Sequence, residues 1–210
     1  SCSLVDSEMC IRDSGITRDV TSRPDLDVYG LRPFLSCKYL FDYRGDGKSG
    51  SLNSFVDENG NTRMPGWKYL RTQNRFDIYR NEYYIPMGYT FDKFIAEEEF
   101  DLVTNAHKSE ALLYAMVLPR DLMKKYSDIT GYSDEKYKLL YGKHPEDYDS
   151  ITEKFDYSNS DYKKVCNLRA LNSCTSFEYT DNGFKAVYNN KKGDDNLLFF
   201  SVPYSDGFTA

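Results

Sequence analysis

Histidine and tryptophan are scarce in this chain, with two of the first and one of the second in 210 residues. Two imidazoles, His107 and His144, cannot build a zinc site without carboxylate or thiolate help, and neither stands at i, i+4 spacing with another ligand. There is no Gly-x-Ser-x-Gly elbow to present a serine nucleophile. Excess positive charge is lacking as well. A net charge of −6 leaves no basic stripe to neutralise phosphates, which argues against a nucleic-acid partner. No apolar run approaches the roughly 20 residues that cross a bilayer. The longest, residues 111–118, stops at Pro119 and reads as a core helix. No secretory leader is visible, although these absences describe this stretch of chain and not a longer parent.

Aromatics, by contrast, are abundant. The 19 Tyr and 13 Phe point to β structure, because tyrosine suits half-wet surfaces where one edge packs and the hydroxyl stays solvated. Such surfaces include carbohydrate-binding ones, and a tyrosine-rich core is the plainer alternative. The length suffices for one large domain or two small ones, with a real core. Residues 1–14, "SCSLVDSEMCIRDS", show no periodicity, and "EMCIRDS" is similar to translated sequencing-adapter read-through. They are expected to be foreign to residues 15–210 and to pack against nothing. Without Cys2 and Cys10, the thiols are Cys37, Cys166 and Cys174, with no metal-like spacing. A Cys166–Cys174 bridge is possible on paper, and buried free thiols are expected instead.

The pattern predicts an α+β fold: an antiparallel, jelly-roll-like β-sandwich with a helical and irregular insertion over about 97–165. Strands are expected near 35–41, 67–71, 76–80, 174–179, 183–189 and 196–202, the last three as a meander. Pro86 and Gly88 keep residues 81–95 extended. Glu97, Glu98 and Glu99 form a favourable acidic first turn, followed by apolar residues at helical spacing through Leu118. A short helix is expected over 134–141, within a surface insertion at 121–165. At the end, "NLLFFSVPYSDGFTA" reads as a buried strand, a turn and the start of a further strand. The chain is therefore expected to be a fragment.

Several short patterns imitate chemistry and fail on detail. "DYRGDGKS" has Gly47-Lys48-Ser49 of a phosphate loop but Asp42 where the earlier glycine belongs. As a calcium loop it has Arg44 at a ligand position and Asn53 in place of the closing glutamate. Asp57, Asn59 and Asn61 alternate like ligands but read as a solvated turn. No catalytic or metal-binding residue is assigned. If the chain engages glycan, residues 83–92 are the expected place: Tyr84, Tyr89 and Asp92 offer stacking faces and a carboxylate, with Trp67 nearby. The competing reading is that these aromatics are core and that Pro86-Met87-Gly88 is only a rigid turn.

Four segments carry a resemblance when read together: "YGLRPFLSCKYLFDY" at 29–43, "FDIYRNEYYIPMGYTFDKFIAEEEF" at 76–100, "SEALLYAMVL" at 109–118 and "LLFFSVPYSDGFTA" at 197–210. In this order and spelling they resemble the YfhO family of bacterial membrane proteins, across nearly the whole chain from Asp27. Phe208 departs from the tryptophan expected there, and 121–165 match loosely. The resemblance implies the extracytoplasmic part of a membrane-embedded glycosyltransferase of the GT-C type. Such a protein would add sugars to a cell-envelope polymer such as lipoteichoic acid from a lipid-linked donor. The family's catalytic carboxylate would lie in an early loop absent from this sequence, so no catalytic residue carries over and no cofactor is expected here. The implied partners are the transmembrane region of the same parent chain and cell-envelope glycan or teichoic acid. The implied place is the outer side of the cell membrane. The alternative is a non-catalytic structural or glycan-binding module, either as a cap on the membrane domain or as a separate secreted lectin-like domain.

Overall fold

The computed structural model describes residues 26–43, 55–57, 59–134, 139–142, 159–189 and 197–202. The first fourteen residues, the "RGDGKS" loop, His144 and the stretch from Pro203 onward lie outside them. A 3-10 turn at Leu26–Val28 leads into α1 (Leu31–Phe34) and β1 (Tyr39–Tyr43), then β2 (Trp67–Gln73) and β3 (Phe76–Asn81). Next come β4 (Tyr89–Phe91), β5 (Lys93–Ala96), α2 (Glu97–Phe100), α3 (Lys108–Tyr114) and β6 (Met116–Leu118). The chain continues with α4 (Arg120–Lys125), α5 (Ser127–Thr130) and β7 (Tyr141–Gly142). It closes with α6 (Asn159–Leu171), β8 (Ser176–Thr180), β9 (Gly183–Val187) and β10 (Leu197–Phe199). The class is mixed α+β.

Among the described residues the strands form four small sheets. One is an antiparallel triplet with β3 between β1 and β2. Trp67 and Tyr79 on one of its faces pack with Phe55 and Met64 into a small core. The main core gathers Leu31, Phe34, Tyr89, Phe91, Ile95, Leu112, Leu113 and Tyr162 from α1, β4, β5, α3 and α6, with Ile85 from the β3–β4 connection. Helix α6 enters it through Tyr162, Val165, Cys166 and Arg169, at helical i, i+3, i+4, i+7 spacing. Gly88, at φ +76°, opens β4 where a Cβ would meet the Cys174 sulfur and the Phe200 ring at 2.6 Å. Only glycine fits that approach.

Several expectations need correction. The segment 35–38 is not strand: it follows α1, and Ser36 turns the chain at φ +56°. The apolar run 111–118 is split: Pro119 favours extended backbone at Leu118, and Arg169 takes up the Leu113 and Tyr114 carbonyls that a continuing helix would use. The helix ends at Tyr114, Ala115 is extended, and Met116–Leu118 becomes a strand parallel to β5. Residues 139–142 hold β7 and no helix, and it pairs with β5 instead. Residues 159–165 begin a thirteen-residue helix with a fully buried face, where a surface insertion was expected. The β8–β9 hairpin forms as read from the sequence, but β10 does not join it. It pairs antiparallel with β4, placing Phe199 opposite Tyr89. Cys37, Cys166 and Cys174 are free thiols, as expected.

The β2–β3 turn has both central residues, Asn74 and Arg75, at positive φ, 51° and 66°. A two-residue turn of this hand matches strand twist and favours Asn-Gly. Asn74 tolerates it, while Arg75 carries a Cβ into a region where it costs roughly 1–2 kcal/mol. Arg75→Gly should therefore raise unfolding free energy by about 1 kcal/mol, read from a urea titration followed by Trp67 emission.

Candidate functional site

The four residues singled out for glycan do not come together as one surface. Trp67 is 2% exposed, with its ring 5.8 Å edge-on from Phe55, and belongs to the small core. Tyr89 is wholly buried in the main core, and its hydroxyl donates to the Phe34 carbonyl at 2.9 Å. A sugar ring has no face of either to stack on. This corrects the expectation for those two residues: the packing that fills both cores uses their full ring area. Tyr84 is half-buried after β3, with the Lys38 ammonium 5.2 Å from its ring centre. Asp92, partly exposed between β4 and β5, is held by cations.

Its chief partner is Arg169, 2% exposed. The guanidinium donates to the carbonyls of Leu113 (3.0 Å), Thr90 (2.8 Å) and Tyr114 (2.6 Å), and to Asp92 Oδ1 at 3.4 Å. Its plane sits 4.2 Å from the centre of the Phe91 ring. Leu113 and Tyr114 end α3, where carbonyls lack intrahelical donors. One side chain thus caps a helix, ties it to β4 and neutralises a carboxylate. Burial alone would lift the Asp92 pKa. Arg169, Lys93 and local hydrogen bonds outweigh it and hold the group below the ordinary aspartate value.

Two further polar groups surround the core. Glu99 accepts from the Tyr141 hydroxyl at 3.1 Å and lies 3.6 Å from Arg120, which also donates to Tyr132 at 2.7 Å and pairs with Glu98 at 3.5 Å. Burial keeps the Glu99 carboxyl above its usual range. A raised carboxyl beside a guanidinium could shuttle a proton or order an anion. Here the guanidinium is already spent on three partners, and the group works as a clasp between α2, α4 and β7. Glu110, 3% exposed in the first turn of α3, accepts from the Ser109 hydroxyl at 2.9 Å. Burial raises its pKa as well. Cys166 lies in the same buried region, and burial pushes its thiol up to about 12, far from the thiolate a nucleophile needs.

Among the described residues no group of three or more His, Cys, Asp or Glu is placed to hold a metal ion. Asp57 accepts the backbone N–H of Asn59 and Asn61 at 2.9 and 2.8 Å, which makes it an Asx turn and not a ligand set. Comparison with protein families, curated proteins and solved structures finds no match to this chain. The residues that sequence reasoning missed, Arg169 and Glu110, carried no signal: each is a charged residue in a helix, spelled like any solvated one.

Arg169→Met should cost roughly 3–5 kcal/mol, because three carbonyls and a carboxylate lose their donor in a low-dielectric site. Arg169→Lys should recover little, since an ammonium cannot reach the same fork of acceptors. Urea denaturation of both variants reads this directly. For Glu110 the sign is opposite to that of a paired acid. Its folded pKa lies above the unfolded one, so its stabilising contribution is full at low pH and is lost as pH rises through the folded value. Glu110→Gln keeps an acceptor for Ser109. Its stability should match the parent in acid and exceed it increasingly toward neutral pH, in denaturation midpoints taken across that range.

Proposed function

We propose that this chain is the extracytoplasmic part of a YfhO-like membrane glycosyltransferase, assisting sugar transfer to a cell-envelope polymer such as lipoteichoic acid. Its part would be to hold the acceptor near a catalytic centre contributed by the membrane portion, which would also bind the lipid-linked donor. The observation that supports this is where the four resembling segments go. Phe34 from the first stacks on Phe199 from the last at 4.8 Å. Tyr89 and Phe91 from the second lie 5.4 and 6.1 Å from the same ring. Leu112 and Leu113 from the third complete that core. Segments far apart in sequence meet at one ring, as expected if they specify one structural unit. A two-layer, jelly-roll-like arrangement of the small sheets belongs to the same proposal. No helix among the described residues is long and apolar enough to cross a membrane.

A second reading, a structural module that binds no glycan, is favoured by the burial of Trp67 and Tyr89. Calorimetric titration of the chain with lipoteichoic-acid fragments and neutral glycans separates the two. Acceptor holding predicts saturable binding that Tyr84→Ala weakens several-fold. Absence of binding to every glycan tested leaves the structural module.

A further inference from the structure

The triplet sheet has a second face, opposite the small core. Its register stacks three rows across β1, β3 and β2: Tyr39, Arg80 and Lys68; Phe41, Ile78 and Arg71; Tyr43, Phe76 and Gln73. Four aromatics on it are open to solvent: Phe41 at 57%, Tyr39 at 45%, Tyr43 at 43% and Phe76 at 36%. The Phe76 ring touches both Tyr43 (5.2 Å) and Phe41 (6.5 Å), so these three rings form one continuous patch, with Tyr39 on the same face. Three cations border it, and the three rows hold no carboxylate. The sheet's aspartates, Asp42 and Asp77, stand on the other face. In a chain of net charge −6, that separation is one-sided.

Two features of this face oppose folding. Lys68 and Arg80 sit directly across from one another, and like charges in that position destabilise a sheet. Glu82 relieves Lys68 through a 2.9 Å ion pair, while among the described residues no ion pair engages Arg71 or Arg80. The β2 strand also carries a bulge at Leu70. Without the extra residue, Arg71 would alternate onto the core side. With it, Arg71 faces outward beside Phe41 and Ile78.

We propose that this face docks on an anionic lipid bilayer, with Phe41 and Phe76 entering the headgroup boundary and Lys68, Arg71 and Arg80 meeting the lipid charge. Charge complementarity selects an anionic partner. The choice of a lipid surface over a glycan chain rests on the chemistry of the face. Phe41 and Phe76 bring no polar atom and Gln73 is the sole amide, while the Tyr39 and Tyr43 hydroxyls and the three cations end exposed side chains, whereas a sugar site needs several hydrogen-bonding groups fixed in a pocket. Exposed phenyl and tyrosyl rings rimmed by cations match the amphipathic, basic character of interfacial membrane binding. The reading stands independently of the family resemblance.

The test is co-sedimentation of the full chain with vesicles of equimolar phosphatidylglycerol and phosphatidylcholine, against phosphatidylcholine alone. Binding is expected only to the anionic vesicles and should fall at high salt. Each cation near such a surface is worth about fivefold in affinity, so Arg71→Glu with Arg80→Glu should weaken binding by at least about twenty-fold, and Phe41→Ser alone should weaken it several-fold. Trp67 is buried on the opposite face, so its emission reports whether each variant is folded. Arg80→Glu should also leave the fold as stable as the parent or more so, since it converts a repulsion into an attraction. Equal binding to both vesicle types, no binding to either, or binding unchanged in the charge-reversed variant overturns the proposal. So does variant-sensitive capture of a soluble polyanionic glycan with no vesicle binding, which would assign the face to a polymer.

Discussion

A guanidinium buried at 2% exposure is tenable only if nearly every donor finds an acceptor, and Arg169 meets that condition with backbone carbonyls. Those carbonyls belong to the end of α3 and to β4, and the carboxylate of Asp92 closes the set. The arrangement solves two problems together. Helix α3 ends inside the core, at Tyr114 with the buried Ala115 following, where unsatisfied carbonyls would be costly. Helix α6 must bury a face that carries a charge. Each is the other's remedy, so neither helix can be docked without the other. The placement of β4 follows from both.

From that anchor the rest of the core falls into line. Thr90 is fixed from one side by Arg169 and from the other by the chain after α6, whose Asn172 carbonyl accepts its N–H at 3.1 Å. Phe91 lies under the guanidinium, which leaves Tyr89 and Phe91 to receive Phe199 from β10. The Tyr89 hydroxyl then reaches the Phe34 carbonyl and draws α1 against the same cluster. Gly88 permits this density, since Cys174 and Phe200 occupy the space where any side chain would stand. The aromatic richness that suggested a sugar surface is consumed here by packing.

Local grammar read well from the sequence wherever a turn or a proline dictated the outcome. The β8–β9 hairpin around Asp181 and Asn182, the β2–β3 pair, the acidic start of α2 and the Asx turn at Asp57 all follow from neighbours within a few residues. What failed was long-range choice. The partner of β10 is β4 and not the adjacent hairpin, because Phe199 is bound by an aromatic socket assembled from two distant segments, α1 and β4. Helix α6 escaped notice because its inward stripe reads Tyr, Val, Cys, Arg while Leu168 and Leu171 point outward. A hydrophobic periodicity cannot report a face that carries a tyrosine at one end and a buried arginine at the other. The expected site was half-visible for the same reason: Tyr84 and Asp92 keep partial exposure, while Trp67 and Tyr89 are spent on the two cores.

The distribution of polar work divides the molecule into two regions with different freedom to act. Around the main core, every conspicuous charge is committed: Arg169 to carbonyls, Asp92 to Arg169 and Lys93, Arg120 to Glu98, Glu99 and Tyr132. Groups so engaged stabilise a fold and have little left to offer a ligand. The triplet sheet is built differently. One of its faces satisfies a small core, and the other leaves four rings and two guanidinium groups facing solvent, with a bulge aiming one of the latter outward. Folding alone gives no reason to set Lys68 against Arg80, which weakens an isolated sheet, and leaving Phe41 57% exposed forgoes the gain of burying its ring. A contact that compensates them from outside the chain supplies the missing reason. That contact must be anionic, and it must tolerate apolar rings that bring no hydrogen bonds.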